Sequence, residues 1–251
     1  HQERTSMYHF GIIGKPLEHS FSARYFADKF QREQVDAEYL LCPVADASLI
    51  GKAMDQFDGF NVTYPYKEAI LLHLPELDKV AHEIGAVNVV CHQKGYNTDW
   101  LGFAHSLRPL LTTNDRRALL LGSGGVSKAV QYALRQMDIP YTIVSREAKK
   151  GQIGYEQVDE ILLKQYQIIV NCTPLGMYPD IEGYPSIPYH ALSHEHLLFD
   201  CVYNPEKTQF LLRGEKYGAR VVNGLQMLYL QADAAWEIWK NELKINESTE
   251  Y

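Results

Sequence analysis

The chain has 251 residues, 46% of them hydrophobic, and a formal charge of −7. That apolar share is ordinary for a globular protein, and the length allows one large domain or two moderate ones. The acidic balance without a basic block argues against nucleic acid as a partner, and no apolar run approaches the roughly 18 residues that a membrane span needs.

Residues 1–6 are polar, lack an apolar signal core and precede Met7, so they read as an expression remnant or an unstructured extension. Beyond them, short apolar runs alternate with longer amphipathic ones. A strand is predicted at 10–13 and a helix at 22–33, then a strand at 38–42 and a helix at 47–57. A strand at Gly59–Val62 leads through a proline turn into a helix at 67–74. A strand at 86–91 and a helix at 101–111 close this first block. The second block runs strand Ala118–Leu121, helix 126–137, and strands Tyr141–Val144, Ile168–Asn171 and 197–201. A helix at 207–217, a strand at Arg220–Val222 and a last helix at Leu225–Leu243 complete it. Alternation of this kind predicts an α/β fold with mainly parallel sheets and covering helices. The break between blocks is expected within 100–111, giving two domains with a cleft that suits a small molecule.

Cys42, Cys91, Cys172 and Cys201 are widely spaced, form no Cys-x-x-Cys pair and mostly lie in strand-like runs. They read as buried free thiols, which places the chain in a reducing cytoplasm. His194-Glu195-His196 has the wrong spacing for two ligands on one helical face. It reads as a solvated lead-in to the next strand, and no metal is expected.

The most informative segment is Asn-Val-Thr-Tyr-Pro-Tyr-Lys at 61–67. A strand end, a proline-forced turn and a helix start would put Asn61, Thr63 and Lys67 on one rim. A polar turn with a surface lysine is the plainer alternative. The second signal is the strand–glycine–helix run Gly122-Ser123-Gly124-Gly125-Val126. Glycines allow a tight turn and close approach of a phosphate, and the helix N-terminus offers unpaired N–H groups. At the end of the next strand stands Arg146, where an arginine pairs with a 2′-phosphate and an acidic residue would accept from a 2′-hydroxyl. Lys149 and Lys150 add positive charge there, and Glu147 opposes it. Ser20 and Ser22 are two residues apart, so both hydroxyls could grip a carboxylate; either would also suit a helix N-cap.

Taken together, these motifs resemble the shikimate dehydrogenase family over nearly the whole chain, from Tyr8 to about Gln231. The carrying segments are Gly-Lys-Pro-Leu-Glu-His-Ser-Phe-Ser at 14–22, the heptapeptide at 61–67, Gly-Ala-Val-Asn at 85–88 and Asn-Thr-Asp at 97–99. The glycine turn, Asn-Cys-Thr-Pro-Leu-Gly-Met at 171–177, Asp-Cys-Val-Tyr-Asn-Pro at 200–205 and Gly-Leu-Gln-Met-Leu-x-x-Gln at 224–231 follow in the family's order. The resemblance implies a substrate domain at 7–101 plus 225–251 with a mainly parallel sheet. It also implies a Rossmann-like NADP domain at 102–224, with the C-terminal helix returning to the first domain.

The implied activity is reversible NADPH-dependent reduction of 3-dehydroshikimate to shikimate, with shikimate preferred over quinate. Lys67 and Asp99 would form the catalytic pair. Ser20, Ser22, Asn61, Thr63, Asn88, Tyr203 and Gln231 would surround the substrate. Gly122, Ser123, Gly124, Gly125, Val126, Arg146, Lys150, Thr173, Cys201, Gly224 and Met227 would serve the cofactor; Met227 reads equally as a core methionine. The family pattern leaves a monomer and a homodimer both open. A quinate/shikimate dehydrogenase and a catalytically silent nucleotide-binding regulator are the alternatives, and intact Lys67 and Asp99 argue against silence. Two positions depart from the pattern. Ser145-Arg146-Glu147 replaces the usual Asn-Arg-Thr, and Val89 replaces Thr after Asn88.

Overall fold

A computed structural model describes residues 6–17 and 20–246. The expected N-terminal extension lies outside these residues except for Ser6, as do Glu18 and His19 of the turn at 14–22. The chain divides into two compact units, His1–Thr98 with Ala232–Tyr251, and Asp99–Gln231.

The first unit contains β1 (Tyr8–Gly14), α1 (Phe21–Arg32), β2 (Ala37–Pro43), α2 (Ile50–Met54), β3 (Gly59–Val62), β4 (Glu76–Leu77), α3 (Lys79–Ile84), β5 (Val89–Cys91) and β6 (Lys94–Tyr96). The strands form one six-stranded sheet in the order β2-β1-β3-β5-β6-β4. β1 pairs in parallel with β2 and β3, whereas β5 runs antiparallel to both β3 and β6. The single strand expected at 86–91 is therefore one arm of a hairpin. Its two-residue turn, His92 and Gln93, has φ of 51° and 60°. Positive φ at both positions is the turn that matches strand twist, and here it forms without the Asn-Gly signal that would have announced it. The helix expected at 67–74 is only a short 3-10 turn, Ala69–His73.

Aromatic packing fixes this unit. Phe10 of β1 stacks on Trp239 with centroids 4.8 Å apart and meets Trp236 edge-on at 5.9 Å. Both indoles are fully buried, and both N–H groups are used: Trp236 donates to Glu33 at 2.7 Å and Trp239 to the Val90 carbonyl at 3.2 Å. Buried aromatic rings of this size carry a large apolar area provided their polar tips find partners. A Cβ on Gly59 would meet the Trp239 indole, so the glycine sets how close β3 lies to it.

The second unit contains α4 (Asp99–Leu107), β7 (Ala118–Leu121), α5 (Gly125–Gln136), β8 (Tyr141–Val144), α6 (Glu160–Gln165), β9 (Ile168–Asn171), β10 (Leu197–Asp200), α7 (Gln209–Lys216), β11 (Arg220–Val222) and the start of α8 (Leu225–Leu243). Its five strands are all parallel in the order β11-β10-β9-β7-β8. Every residue of β7, β9 and β10 is buried, as expected for strands covered on both faces. Alternate residues divide between two cores. Leu120, Val170 and Phe199 pack with Phe103 and Val130 on one face, and Leu119, Ile169 and Leu198 pack with Phe210 and Leu211 on the other.

Two expectations need correction here. His196 is not a solvated lead-in: it is 5% exposed, its Nε2 bonds the Leu163 carbonyl at 2.7 Å, and its Nδ1 accepts the Ser193 N–H. Of the four free cysteines only Cys91 is fully buried, because Cys172 and Cys201 sit just past strand ends and Cys42 lies on the edge strand β2. Among the described residues no helix is long and apolar enough to cross a membrane.

Candidate active site

In the first unit, candidate groups gather at the C-terminal ends of β1 and β3. Gly14 ends β1, and a Cβ there would collide with the Thr63 methyl. The glycine thus lets the 61–67 segment close onto β1. Thr63 N–H donates to the Ile13 carbonyl at 2.9 Å, Lys15 N–H to Tyr64 at 3.1 Å, and Tyr66 N–H to Thr63 at 3.0 Å. Lys67 is pinned from the other side, since its carbonyl accepts the Val87 N–H at 2.8 Å. Thr63 and Lys67 are both half-buried.

Asn61, expected on the same rim, is instead buried in β3. Its Nδ2 donates to the Asn88 carbonyl at 3.3 Å, and its Oδ1 accepts from the Tyr39 hydroxyl at 2.7 Å. Asn88 is also buried and clasps Thr98 through both ends of its amide, at 2.9 Å to Oγ1 and 2.7 Å from N–H. Asn97 donates to the Ala86 carbonyl at 3.0 Å. The Gly-Ala-Val-Asn and Asn-Thr-Asp motifs are therefore laced to each other and, through Asn61, to β3.

Ser20 is the N-cap of α1, its Oγ accepting the Ser22 N–H at 3.3 Å. The cap uses the oxygen as an acceptor and leaves the role of the Ser20 proton open. Ser22 is 6% exposed. Burial pushes the Tyr39 phenol well above its ordinary value, and hydrogen bonding with Ser22 opposes this. Tyr39 lies in no motif, and the sequence gives no sign of its place in this network.

In the second unit, the glycine turn joins β7 to α5 beside β9, where the strand order reverses. Open α/β sheets bind ligands at this switch point, outside the carboxyl ends of the strands. Gly122 has φ of +108°, a conformation that glycine adopts without strain, and its N–H donates to the Val144 carbonyl at 2.8 Å. A Cβ on it would approach the Thr173 methyl at 3.0 Å. Gly124 caps α5 with no side-chain bond, and nothing lies within 4 Å of where its Cβ would be. Ser123 is exposed, and Gly125 and Val126 open the helix half-buried. The first turn holds no acidic residue. Unpaired helix N–H groups beside open space suit an anion.

Arg146, Glu147, Lys149 and Lys150 are exposed in the loop after β8. The Arg146 charge reaches the partly buried Tyr155 phenol: burial raises that hydroxyl, Cys172 adds to the rise, and Arg146 opposes it.

Beyond β9 and β10 a single buried carboxylate organises the loops. Asp200 accepts from Asn171 Nδ2 at 3.1 Å, from Val202 N–H at 2.9 Å and from the Thr208 hydroxyl at 2.5 Å. Asn171 in turn accepts the Thr173 N–H and hydroxyl at 3.0 and 2.6 Å. Burial pushes the Asp200 carboxyl up to about 6, against the pull of those three bonds. Cys172 and Cys201 follow these strands, and hydrogen bonding with the neighbouring Cys172, then burial, pushes the Cys201 thiol up. Gly224 lies so close to the Cys201 carbonyl that a Cβ would clash with it. Met227 is 6% exposed and belongs to the core. Gln231 donates to the Leu228 carbonyl at 2.9 Å, Tyr203 is half-buried, and Asp99 is buried at the start of α4. Asp200 lay within a recognised motif, but nothing marked Thr208 as its partner.

A parallel α/β unit with an uncapped glycine turn at its switch point defines the class of nucleotide-binding α/β proteins. Residues 12–90 match the family described as "Shikimate dehydrogenase substrate binding domain". A shikimate dehydrogenase (NADP(+)) of Methanosphaera stadtmanae is 34% identical, over 96% of this chain and 94% of the relative. The crystal structure of shikimate dehydrogenase from Aquifex aeolicus is 30% identical with a TM-score of 0.84, covering 95% of this chain and 94% of that one. The enzyme from Thermus thermophilus, solved in complex with NADP(H) and shikimate, is 28% identical with a TM-score of 0.80 and covers 94% of each chain. The chain belongs to the shikimate dehydrogenase family.

The Asp200 shift has a sign that can be measured. Its folded pKa of about 6 lies above the ordinary 3.8, so between those values the native state holds a proton that the unfolded chain releases. The stability this proton confers is complete below about pH 4 and is lost as pH rises through about 6, an effect on the order of 3 kcal/mol. Asp200→Asn mimics the protonated form and should flatten that part of the profile. Unfolding free energies of both proteins across this range check it.

Proposed function

We propose that this chain catalyses the reversible NADPH-dependent reduction of 3-dehydroshikimate to shikimate. The observation that carries the reading is Lys67, pinned on a turn by backbone bonds on both sides, within the stretch that matches a shikimate dehydrogenase substrate binding domain. In this reading residues 7–101 plus 225–251 serve the substrate and residues 102–224 the cofactor. The free cysteines suit a reducing cytoplasm.

The second unit fits NADP. The turn of Gly122, Ser123, Gly124, Gly125 and Val126 would take the pyrophosphate on the uncapped N-terminus of α5. Arg146 and Lys150 would take the 2′-phosphate, with Glu147 reducing the preference over NAD. Thr173, Cys201, Gly224 and Met227 would lie towards the nicotinamide. When bound, the cofactor supplies the hydride.

The chain's own residues then manage charge and protons. As the ketone gains an electron pair, negative charge grows on its oxygen. The Lys67 ammonium stabilises that charge and delivers a proton to the alkoxide. In the oxidative direction a neutral Lys67 amine takes the alcohol proton. Asp99 holds the lysine and accepts from a neighbouring ring hydroxyl. Ser20, Ser22 and Tyr203 donate to the substrate carboxylate. Thr63, Asn88 and Gln231 meet the ring hydroxyls, and Asn61 supports them from beneath. A site built to pair each polar group rejects misfits, because unpaired buried groups cost about 1–3 kcal/mol each.

Initial rates with shikimate and with quinate, each with NADP and NAD, test the reading. Shikimate with NADP should be fastest, with quinate much slower. Equal rates with quinate would point to the broader quinate/shikimate activity, and no rate with any pair would favour a silent regulator. Arg146→Ala should weaken NADP about tenfold to a hundredfold, the size of one charge-assisted contact, with little change in NAD affinity. Titration of both cofactors decides it; equal losses would make Arg146 structural.

A further inference from the structure

Cys172 and Cys201 directly follow β9 and β10, parallel neighbours whose last pair in register is Asn171 with Asp200. One step further the register sets Cys201 beside Cys172, and the Cys201 N–H still donates to the Asn171 carbonyl at 3.1 Å. Side chains alternate between the faces of a sheet, so two residues in register share a face. Asn171 and Asp200 show this directly, since their side chains bond each other at 3.1 Å. Cys172 and Cys201 turn to the opposite face, where both pack against the cluster that holds Val170 and Phe199. Both are half-buried, and both are free thiols.

Neighbouring strands lie about 4.8 Å apart, inside the Cα separation of roughly 4.4–6.8 Å that a disulfide spans. The Asn171–Asp200 bond clamps the two backbones one residue before the thiols, so the pair is held together without being joined. The other two cysteines do not face each other in this way. Cys42 is on β2 and Cys91 on β5, and β1 and β3 stand between those strands.

We propose that Cys172 and Cys201 are a redox-modifiable dithiol, which a hydroperoxide converts to a disulfide on the surface that bound NADP covers. The cofactor's part in this rests on the reading of the second unit as the NADP unit; the pairing of the thiols does not. Both thiols stand at the carboxyl ends of parallel strands, the side on which open α/β sheets take ligands, and the Gly224 backbone closes on the Cys201 carbonyl there. In the first step the Cys172 thiolate attacks a peroxide oxygen and the O–O bond breaks. Hydroxide leaves and takes up the thiol proton as water, and Cys172 becomes a sulfenic acid. In the second step the Cys201 sulfur displaces the sulfenic hydroxyl, which takes the Cys201 proton and leaves as water. Two thiols lose two electrons, and the peroxide gains them. The raised Cys201 thiol holds its proton, which assigns the first attack to Cys172.

The test treats the full chain with hydrogen peroxide, alkylates it under denaturing conditions and maps it by mass spectrometry. A bridge between Cys172 and Cys201 is expected, with Cys42 and Cys91 still alkylated and all four thiols restored by dithiothreitol. Recovery of Cys172 and Cys201 unbridged, or bridged to other cysteines, would overturn the proposal. At NADP about tenfold above its Kd only about a tenth of the chains are free, so bridging should slow about tenfold. The same rate with NADP shown to be bound would overturn the placement beneath the cofactor. If the chain does not bind NADP, the functional reading fails, whereas the map of the bridge still decides the thiol pair.

Discussion

The first unit of the molecule depends on one buried amide network. Asn88 spends both ends of its side chain on Thr98, and its carbonyl takes bonds from the Val62 N–H and from Asn61. These groups are shielded from water, so each bond left unmade would cost about 1–3 kcal/mol. The network accordingly has one low-energy arrangement. It fixes β3, the start of the 61–67 turn and the segment that leads into Asp99. Lys67 is held at the edge of this arrangement by its own backbone, through the Val87 N–H. Buried amides thus provide a rigid base for the lysine.

The second unit solves a similar problem with one carboxylate. Asp200 gathers the loops after β9 and β10 and the N-terminus of α7 by accepting from Asn171, Val202 and Thr208. Asn171 passes the constraint to Thr173, which lies against Gly122. The glycine turn therefore meets a wall set by hydrogen bonds rather than by packing alone. No cation is needed at Asp200, because its neighbours are neutral donors. The cost appears as a raised pKa, which a carboxylate paired with an arginine would not show.

Much of this was legible in the sequence, and the limits have physical causes. The strands β7 and β9 were read at their true bounds, and β10 to within one residue, because burial on both faces makes them continuous apolar runs between turn signals. The β5–β6 hairpin was missed because its turn uses His92 and Gln93 at positive φ, residues with no turn signature. The site motifs were visible, yet the rim geometry was only half right. Thr63 and Lys67 lie at the turn, whereas Asn61 faces inward, since its place in a strand with both neighbours buried gives it no route to the surface. Tyr39, Thr208 and His196 act through partners distant in sequence, and such pairings leave no local pattern to read.

The central claim is that hydride chemistry is supplied at the glycine-turn unit and proton chemistry by Lys67 on its network of amides. The most direct test is shikimate turnover by Lys67→Ala in a sample shown by calorimetric titration to bind NADP. The account predicts wild-type NADP affinity with turnover lower by at least about a hundredfold, the minimum expected of a positioned acid/base group. Turnover close to wild type in that folded, cofactor-binding variant would contradict it.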